Sequence, residues 1–268
     1  MMACPKVLLL TGYGINCEEE TAYAFQACGA KSAIVHVNDL IAAPEKLADY
    51  QIFVVPGGFS YGDDTGSGNA LANKMRHSLW EELMAFVAAD HLVLGICNGF
   101  QVLVNLGLLP GDGDSSFGSR RVALLANSSA RYECRWVHLA KGESDSVFLR
   151  GVESLFLPVA HGEGRFFCAP ETLAELQAQR QVALRYVDDQ QQPARGVFPV
   201  NPNGSLDDIA GLSGARGRIL GLMPHPERAF RLNHLPDWPL RAALDPGLDW
   251  RGPGPGQVIF ANAVSYFS

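Results

Sequence analysis

The 268-residue chain is 47% hydrophobic and 18% charged, with a formal net charge of −7. That composition excludes a largely disordered chain, and the length accommodates one large domain or two small ones with a real core. The modest acidity argues against wrapping nucleic acid, which takes clustered Lys and Arg, and suits a solvated enzyme or a subunit with a basic partner.

The apolar run at residues 7–10 predicts a buried strand ending at Gly12. It is too short for the core of a signal peptide, and no apolar run of about 18 residues follows, so a cytosolic protein without a membrane segment is expected. Residues 17–28 predict a helix whose first turn carries Glu18, Glu19 and Glu20, where they complement the helix dipole. A second strand is predicted over 33–37, a short helix over 44–48, and a third strand over 52–55, closed by Pro56-Gly57-Gly58. A glycine-rich loop then leads into a long helix over 69–89, a fourth strand over 92–96 and a helix over 100–106. Continuous apolar strands alternating with helices predict an α/β fold, an open and mostly parallel sheet with helices on both faces.

Beyond Gly107 the texture changes. Residues 110–118 are rich in Gly and Asp and predict a surface loop. Strands are expected over 122–127, 131–139, 155–160, 182–187, 209–212 and 219–223, with a helix near 171–179. Residues 231–257, rich in Pro and Gly and without periodicity, read as an insertion, and 258–267 as a closing helix. One domain spanning 1–268 is expected.

The six cysteines, at positions 4, 17, 28, 97, 134 and 168, contain no CxxC pair. Neither a zinc ribbon nor a thioredoxin motif is available, and free thiols in a reducing compartment are the simpler reading. No metal site is expected. Cys97 stands apart within Gly95-Ile96-Cys97-Asn98-Gly99, directly after an apolar strand and before a helix. This is the thiol form of a nucleophile elbow, whose strained turn requires small neighbours. Such a turn aims the sulfur at a helix N-terminus, which favours negative charge, and places the Asn98 N–H as one oxyanion donor. A buried structural cysteine between two incidental glycines is the alternative at this point.

A nucleophilic thiol needs a base. Of the seven histidines, His225 lies in Pro224-His225-Pro226-Glu227 after an apolar strand. Pro226 biases His225 toward an extended conformation, in which residues i and i+2 share a side, so Glu227 is placed beside the imidazole. That carboxylate would orient the ring and stabilise its charged form, completing a Cys-His-Glu triad. A proline-rich turn with a surface ion pair is the plainer alternative. The loop Pro56-Gly57-Gly58-Phe59-Ser60-Tyr61-Gly62-Asp63 also leaves a strand end and is a candidate for a second oxyanion donor.

These segments resemble the class I (triad-type) glutamine amidotransferases and, among them, the glutaminases of phosphoribosylformylglycinamidine (FGAM) synthase. The resemblance covers roughly residues 6–230. It rests on Asn16-Cys17, the 56–63 loop, the elbow continuing into Phe100-Gln101, and His161-Gly162-Glu163-Gly164-Arg165. It extends through Leu184-Arg185-Tyr186-Val187-Asp188, Asn201-Pro202-Asn203-Gly204-Ser205 and the segment from Met223 through Arg228. It implies a flavodoxin-like fold and a glutaminase in which Cys97 attacks the side-chain amide of glutamine. His225 would move protons, Glu227 would hold it, Gly58 and Asn98 would supply oxyanion N–H groups, and Gln101 would contact substrate. It implies no cofactor in this chain. Ammonia would pass to a synthetase subunit that uses ATP and Mg²⁺ to make the amidine in purine synthesis, with or without a small third subunit. His161 and Arg165 match the motif without an assigned step, packing or partner contact being the alternatives. The stretch 231–257 is longer than the resemblance leads one to expect, and would touch the synthetase or be decoration.

Other readings fare worse. Gly12-Tyr13-Gly14-Ile15-Asn16-Cys17 lacks the third glycine of a dinucleotide loop, and the three glutamates that follow would repel a pyrophosphate. No G-x-x-x-x-G-K-[ST] is present. His161-Gly162-Glu163 lacks the P-C-x-x-C that a zinc deaminase requires. A free-standing cysteine hydrolase such as a γ-glutamyl peptidase and a catalytically silent binding subunit remain as rivals. The family-specific segments oppose the first, and the intact Cys97, His225 and Glu227 set opposes the second.

Overall fold

In the computed structural model, which describes residues 4–111 and 116–268, the chain builds a nine-stranded sheet around the predicted apolar runs. The elements in chain order begin with β1 (Lys6–Thr11), α1 (Glu18–Ala27), β2 (Lys31–His36) and α2 (Val37–Ala42). There follow β3 (Ile52–Val55), α3 (Asn69–Ala88), β4 (Leu92–Ile96) and α4 (Asn98–Leu106). The second half has β5 (Val122–Ala126), β6 (Glu133–Lys141), β7 (Ser154–His161), β8 (Glu163–Cys168), α5 (Pro170–Ala178) and β9 (Val182–Val187). It closes with β10 (Ile209–Gly214), β11 (Ile219–Leu222), α6 (Trp238–Leu244) and α7 (Gln257–Ser265).

The main sheet has nine strands in the order β2-β1-β3-β4-β11-β10-β9-β6-β7. Pairing is parallel from β2 through β11 and antiparallel from there to β7, so that all but β10 and β6 run in one direction. The chain leaves β1 toward β2 and returns past it to β3, which makes β1/β3 the point where the strand order reverses. Right-handed crossovers therefore put α1 on one face and α3 and α4 on the other. Phe25 of α1 meets Phe260 of α7 edge to face at 5.0 Å, so the C-terminal helix closes the first face. The strands β1, β3, β4 and β11 have buried interiors, as continuous apolar runs covered on both sides should.

Several sequence expectations are corrected. Val37 starts α2 rather than ending a strand, because His36 Nδ1 accepts the Asn38 N–H at 3.1 Å and caps the helix. The short helix expected over 44–48 is a 3₁₀ turn. A strand was not expected at β8, where glycines interrupt the alternation; it pairs with β5 in a separate two-stranded ribbon. The loop expected at the surface over 110–118 begins buried at Pro110 and Gly111, whose carbonyl accepts the Ala215 N–H at 2.7 Å, while residues 112–115 lie outside the described residues. The aperiodic stretch 231–257 contains α6 and is pinched at its base, where Leu232 N donates to Gly252 O and Gly254 N to Phe230 O. Among the described residues no helix is long and apolar enough to cross a membrane.

Candidate active site

The C-terminal ends of β4, β11 and β7 converge, and each carries one part of the site. Cys97 follows β4 with φ 51° and ψ −106°, a positive φ that a side chain rarely adopts, as the elbow pattern predicts. The turn closes because Gly95 and Gly99, two residues to either side, lack side chains. A Cβ on Gly99 would fall 1.8 Å from the Val55 carbonyl oxygen. The Cys97 N–H donates to Leu222 O at 2.8 Å, which ties the elbow to the end of β11. The thiol is buried, with Sγ 3.8 Å from Ala160 O. Asn98 opens α4 directly after Cys97, so its N–H has no intrahelical partner and lies at the positive end of the helix dipole.

After β11 the chain runs extended through His225 (φ −104°, ψ 94°), and Glu227 falls beside it. The Nδ1 of His225 lies 2.5 Å from Glu227 Oε1, and both side chains are buried. The His225 N–H donates to Pro158 O of β7 at 2.8 Å, fixing the segment across the sheet end. Burial works against a charged imidazole here, but the Glu227 carboxylate, then the nearby Cys97, outweigh it and hold His225 well above its ordinary 6.5. With the Nδ1 proton engaged by the carboxylate, Nε2 is left as a buried nitrogen without a hydrogen-bond partner. The structure thus brings together the three residues singled out as a triad.

A cavity of about 160 Å³ opens in front of the thiol, lined by Gly58, Cys97, Gln101, Tyr132, His161 and Glu163 among others. It is smaller than the roughly 300–1,000 Å³ pockets that hold drug-sized ligands, and fits a small metabolite better than a nucleotide. Gly58 has φ +152° and backs onto Gly14 and Ile15, and its N–H meets no protein acceptor among the described residues. Asn98 holds the loop in place: its Oδ1 accepts the Ser60 N–H at 3.2 Å, and its Nδ2 donates to Asp63 Oδ1 at 3.2 Å and Gln101 Oε1 at 3.1 Å. Gln101 Nε2 in turn donates to Glu163 O at 2.7 Å. Gly58, Asn98 and Gln101 therefore do meet around Cys97.

His161 also lines the cavity, while Arg165 does not. Asn127 Nδ2 donates to the carbonyls of His161 (2.8 Å) and Arg131 (2.9 Å), which turns its Oδ1 toward His161 Nδ1 at 3.1 Å and makes that nitrogen the donor. Burial, then the charge on His225, push His161 down to about 4, so it is neutral near pH 7. Arg165 sits on the ribbon and donates from Nε to Ala126 O at 3.0 Å. The 201–205 segment clamps the same ribbon: Asn203 Nδ2 donates to Gly164 O at 2.9 Å and Phe166 N to Ser205 Oγ at 3.0 Å.

Four contributors escaped the sequence reading. Asp63, Glu163 and Tyr132 line the cavity, and Cys17 is buried beside the triad. A Cβ on Gly57 would stand 2.8 Å from His225 Cε1 and 3.1 Å from Cys17 Sγ, and Arg228 Nη2 reaches that sulfur at 3.1 Å. Cys17, Asp63 and Glu163 all stood inside matched segments, but no spacing rule brings them to Cys97. Donor atoms of Cys17, His225 and Glu227 lie within 4.8 Å of one another. Two ligands of a tetrahedral zinc stand about 3.4 Å apart, so the 2.5 Å His225–Glu227 contact has the geometry of a hydrogen bond rather than of shared metal binding.

Comparison with known proteins shows the family of the chain. Residues 4–267 match the model of the CobB/CobQ-like glutamine amidotransferase domain. The chain is 49% identical to the phosphoribosylformylglycinamidine synthase subunit PurQ of Methanococcus maripaludis, covering 98% of each chain. It is 37% identical to the Drosophila melanogaster phosphoribosylformylglycinamidine synthase, where 97% of this chain matches 19% of that one. A chain in the structure of PurLQS from Thermotoga maritima superposes with a TM-score of 0.71 at 30% identity, covering 99% of this chain and all of that one. An elbow thiol, a buried His–Glu pair and a match over nearly the whole length place this chain in the CobB/CobQ-like glutamine amidotransferase family.

Proposed function

We propose that this chain is the glutaminase subunit of a phosphoribosylformylglycinamidine synthase. The observation that carries the chemistry is the elbow thiol of Cys97 beside the buried His225–Glu227 pair, on a chain whose near-full-length relatives bear that subunit's name. Cys97 gives its thiol proton to His225 as Sγ attacks the side-chain amide carbon of glutamine, and the oxyanion forms against the free N–H groups of Gly58 and Asn98. His225 passes a proton to the leaving nitrogen, and ammonia departs from a glutamyl thioester. His225 then takes a proton from water, which attacks the thioester, releases glutamate and restores the thiol. Glu227 keeps the ring oriented throughout and balances its charge.

Ammonia passes to an ATP-dependent synthetase partner, which makes the amidine in purine synthesis. ATP and Mg²⁺ belong to that partner, in keeping with the lack of a P-loop sequence here. In the fly relative a segment like this chain forms 19% of one longer synthase, which supports close association of the two activities. The chain acts as a single domain in the cytoplasm, with 231–257 an insertion. Reconstitution with the synthetase tests this reading: glutamine hydrolysis is slow for the subunit alone and rises in the complex. Equally fast turnover with and without the partner contradicts it.

A further inference from the structure

A second polar cavity lies at the edge of the sheet opposite Cys97. β10 runs against β11, so Gly214 at its end pairs with Ile219 at the start of β11, a strand length away from Leu222 and the elbow. Here a cavity of about 300 Å³ is lined by Asp145, Arg180, Gln181, Ser213 and Arg216 among others. It is larger than the 160 Å³ cavity beside Cys97 and shares no lining residue with it. None of its lining residues carries an aromatic ring or a large aliphatic side chain.

Its buried wall is made by two residues that the β9/β10 pairing sets side by side. Leu212 stands opposite Val182, and the next pair is joined by the Ser213 N–H donating to Gln181 O at 2.8 Å. Directly opposed residues of antiparallel strands put their side chains on one face, so the Gln181 amide and the Ser213 hydroxyl are neighbours. Gln181 is 3% exposed and Ser213 2%, whereas Arg180 and Arg216 are exposed at the mouth. Yet Gln181 Oε1, Gln181 Nε2 and Ser213 Oγ have no hydrogen-bond partner among the described residues. Buried amides and hydroxyls are nearly always paired, so three orphaned atoms together at one cavity mark a place completed by a bound group.

Those atoms specify the group. Gln181 needs an acceptor for Nε2 and a donor for Oε1 next to each other, and a carboxamide presents that pair in one plane. A phosphate or carboxylate accepts without donating and leaves Oε1 unpaired. A nucleobase offers both but finds no flat apolar surface here to stack against. At the mouth Arg180 Nη2 lies 3.1 Å from Asp145 Oδ1, which sets a guanidinium beside a carboxylate. The two charges complement the carboxylate and ammonium of an α-amino acid.

We propose that this cavity is a second, noncatalytic binding site for a free α-amino acid whose side chain ends in a carboxamide. That amide pairs with Gln181 and Ser213, and the charged head sits between Arg180 and Asp145. The site follows from the cavity's own chemistry and does not rest on the glutaminase reading.

The test is equilibrium dialysis of labelled L-glutamine against the full-length Cys97→Ala chain, with and without Gln181→Met, which keeps the side chain's length and removes both polar atoms. Cys97→Ala should bind one equivalent more than the double variant, in which this site weakens at least about 10-fold through the loss of two hydrogen bonds. Equal stoichiometry in the two chains overturns the site. Glutamate should compete for the extra equivalent at least about 10-fold less well than glutamine, because it offers no N–H to Oε1; equal competition overturns the carboxamide assignment. Hydrogen exchange needs no change at Gln181: glutamine should slow the backbone amides of 179–182 and 213–217 in the Cys97→Ala chain. Unchanged exchange there, as water alone in the cavity would give, overturns the site. A wild-type complex that releases no ammonia from glutamine contradicts the glutaminase reading and leaves these outcomes intact, so the two failures are distinct.

Discussion

Burial alone would drive the His225 imidazole toward neutrality, yet the Glu227 carboxylate 2.5 Å from Nδ1 reverses that balance. Replacing Glu227 with Gln keeps the shape and removes the charge. The expected kcat for glutamine is lower by about 10²–10⁴-fold, since the ring loses both its orientation and the partner of its charged form. A wild-type kcat in Glu227→Gln would remove the carboxylate from the mechanism. His161 titrates in the opposite sense, down to about 4 from 6.5. Between those values the unfolded chain binds a proton at this position that the folded chain refuses, so stability falls as pH drops through the window, by up to about 1.4 kcal/mol per pH unit. His225, raised in the fold, adds stability that is fully present below 6.5 and is lost only as pH rises through its folded value, so it does not mask this slope. Urea unfolding of wild type and His161→Gln from pH 4 to 6.5 checks it: the variant should show the shallower dependence. An identical slope in both would assign the effect to other groups.

Among the elements, α4 and its elbow carry the heaviest geometric constraint. Gly99→Ala places a methyl 1.8 Å from the Val55 carbonyl, in backbone that cannot swing aside. The expected loss is about 1–3 kcal/mol or more in urea unfolding, with glutaminase activity falling as the Cys97 turn shifts. A wild-type midpoint would show that β3 and α4 are packed less closely than described. This element was legible from sequence, because an apolar strand, two glycines and a helix start within one short segment determine the turn locally. The His225–Glu227 pair was legible for the same reason, through Pro226 and the side-sharing of residues i and i+2. β8 was not, since Glu163-Gly164-Arg165 breaks alternation and its strand exists only through pairing with β5. Nor were Cys17, Asp63 and Tyr132, whose approach to Cys97 depends on which strand ends meet in space. The His161–Arg165 and 201–205 segments divide on this point: His161 and Glu163 face the cavity, whereas Arg165, Asn203 and Ser205 hold the ribbon that presents them.

For the whole molecule, the order of strands decides where chemistry collects. The reversal at β1/β3 and the parallel run through β4 and β11 gather four loops at one edge, and the antiparallel half contributes β7, which delivers His161 and braces His225. The parallel half was foreseen from continuous apolar runs; the exact neighbours of β6, β7 and β9 were not, because antiparallel strands of mixed burial leave several pairings equally compatible with the pattern. On the reading proposed above, this chain supplies the synthetase with ammonia through Cys97. The decisive measurement is amidine formation by the complex carrying Cys97→Ala, with either glutamine or ammonium as nitrogen donor. Synthesis from glutamine should be abolished while synthesis from ammonium persists. Retained synthesis from glutamine, or loss of both, would contradict it.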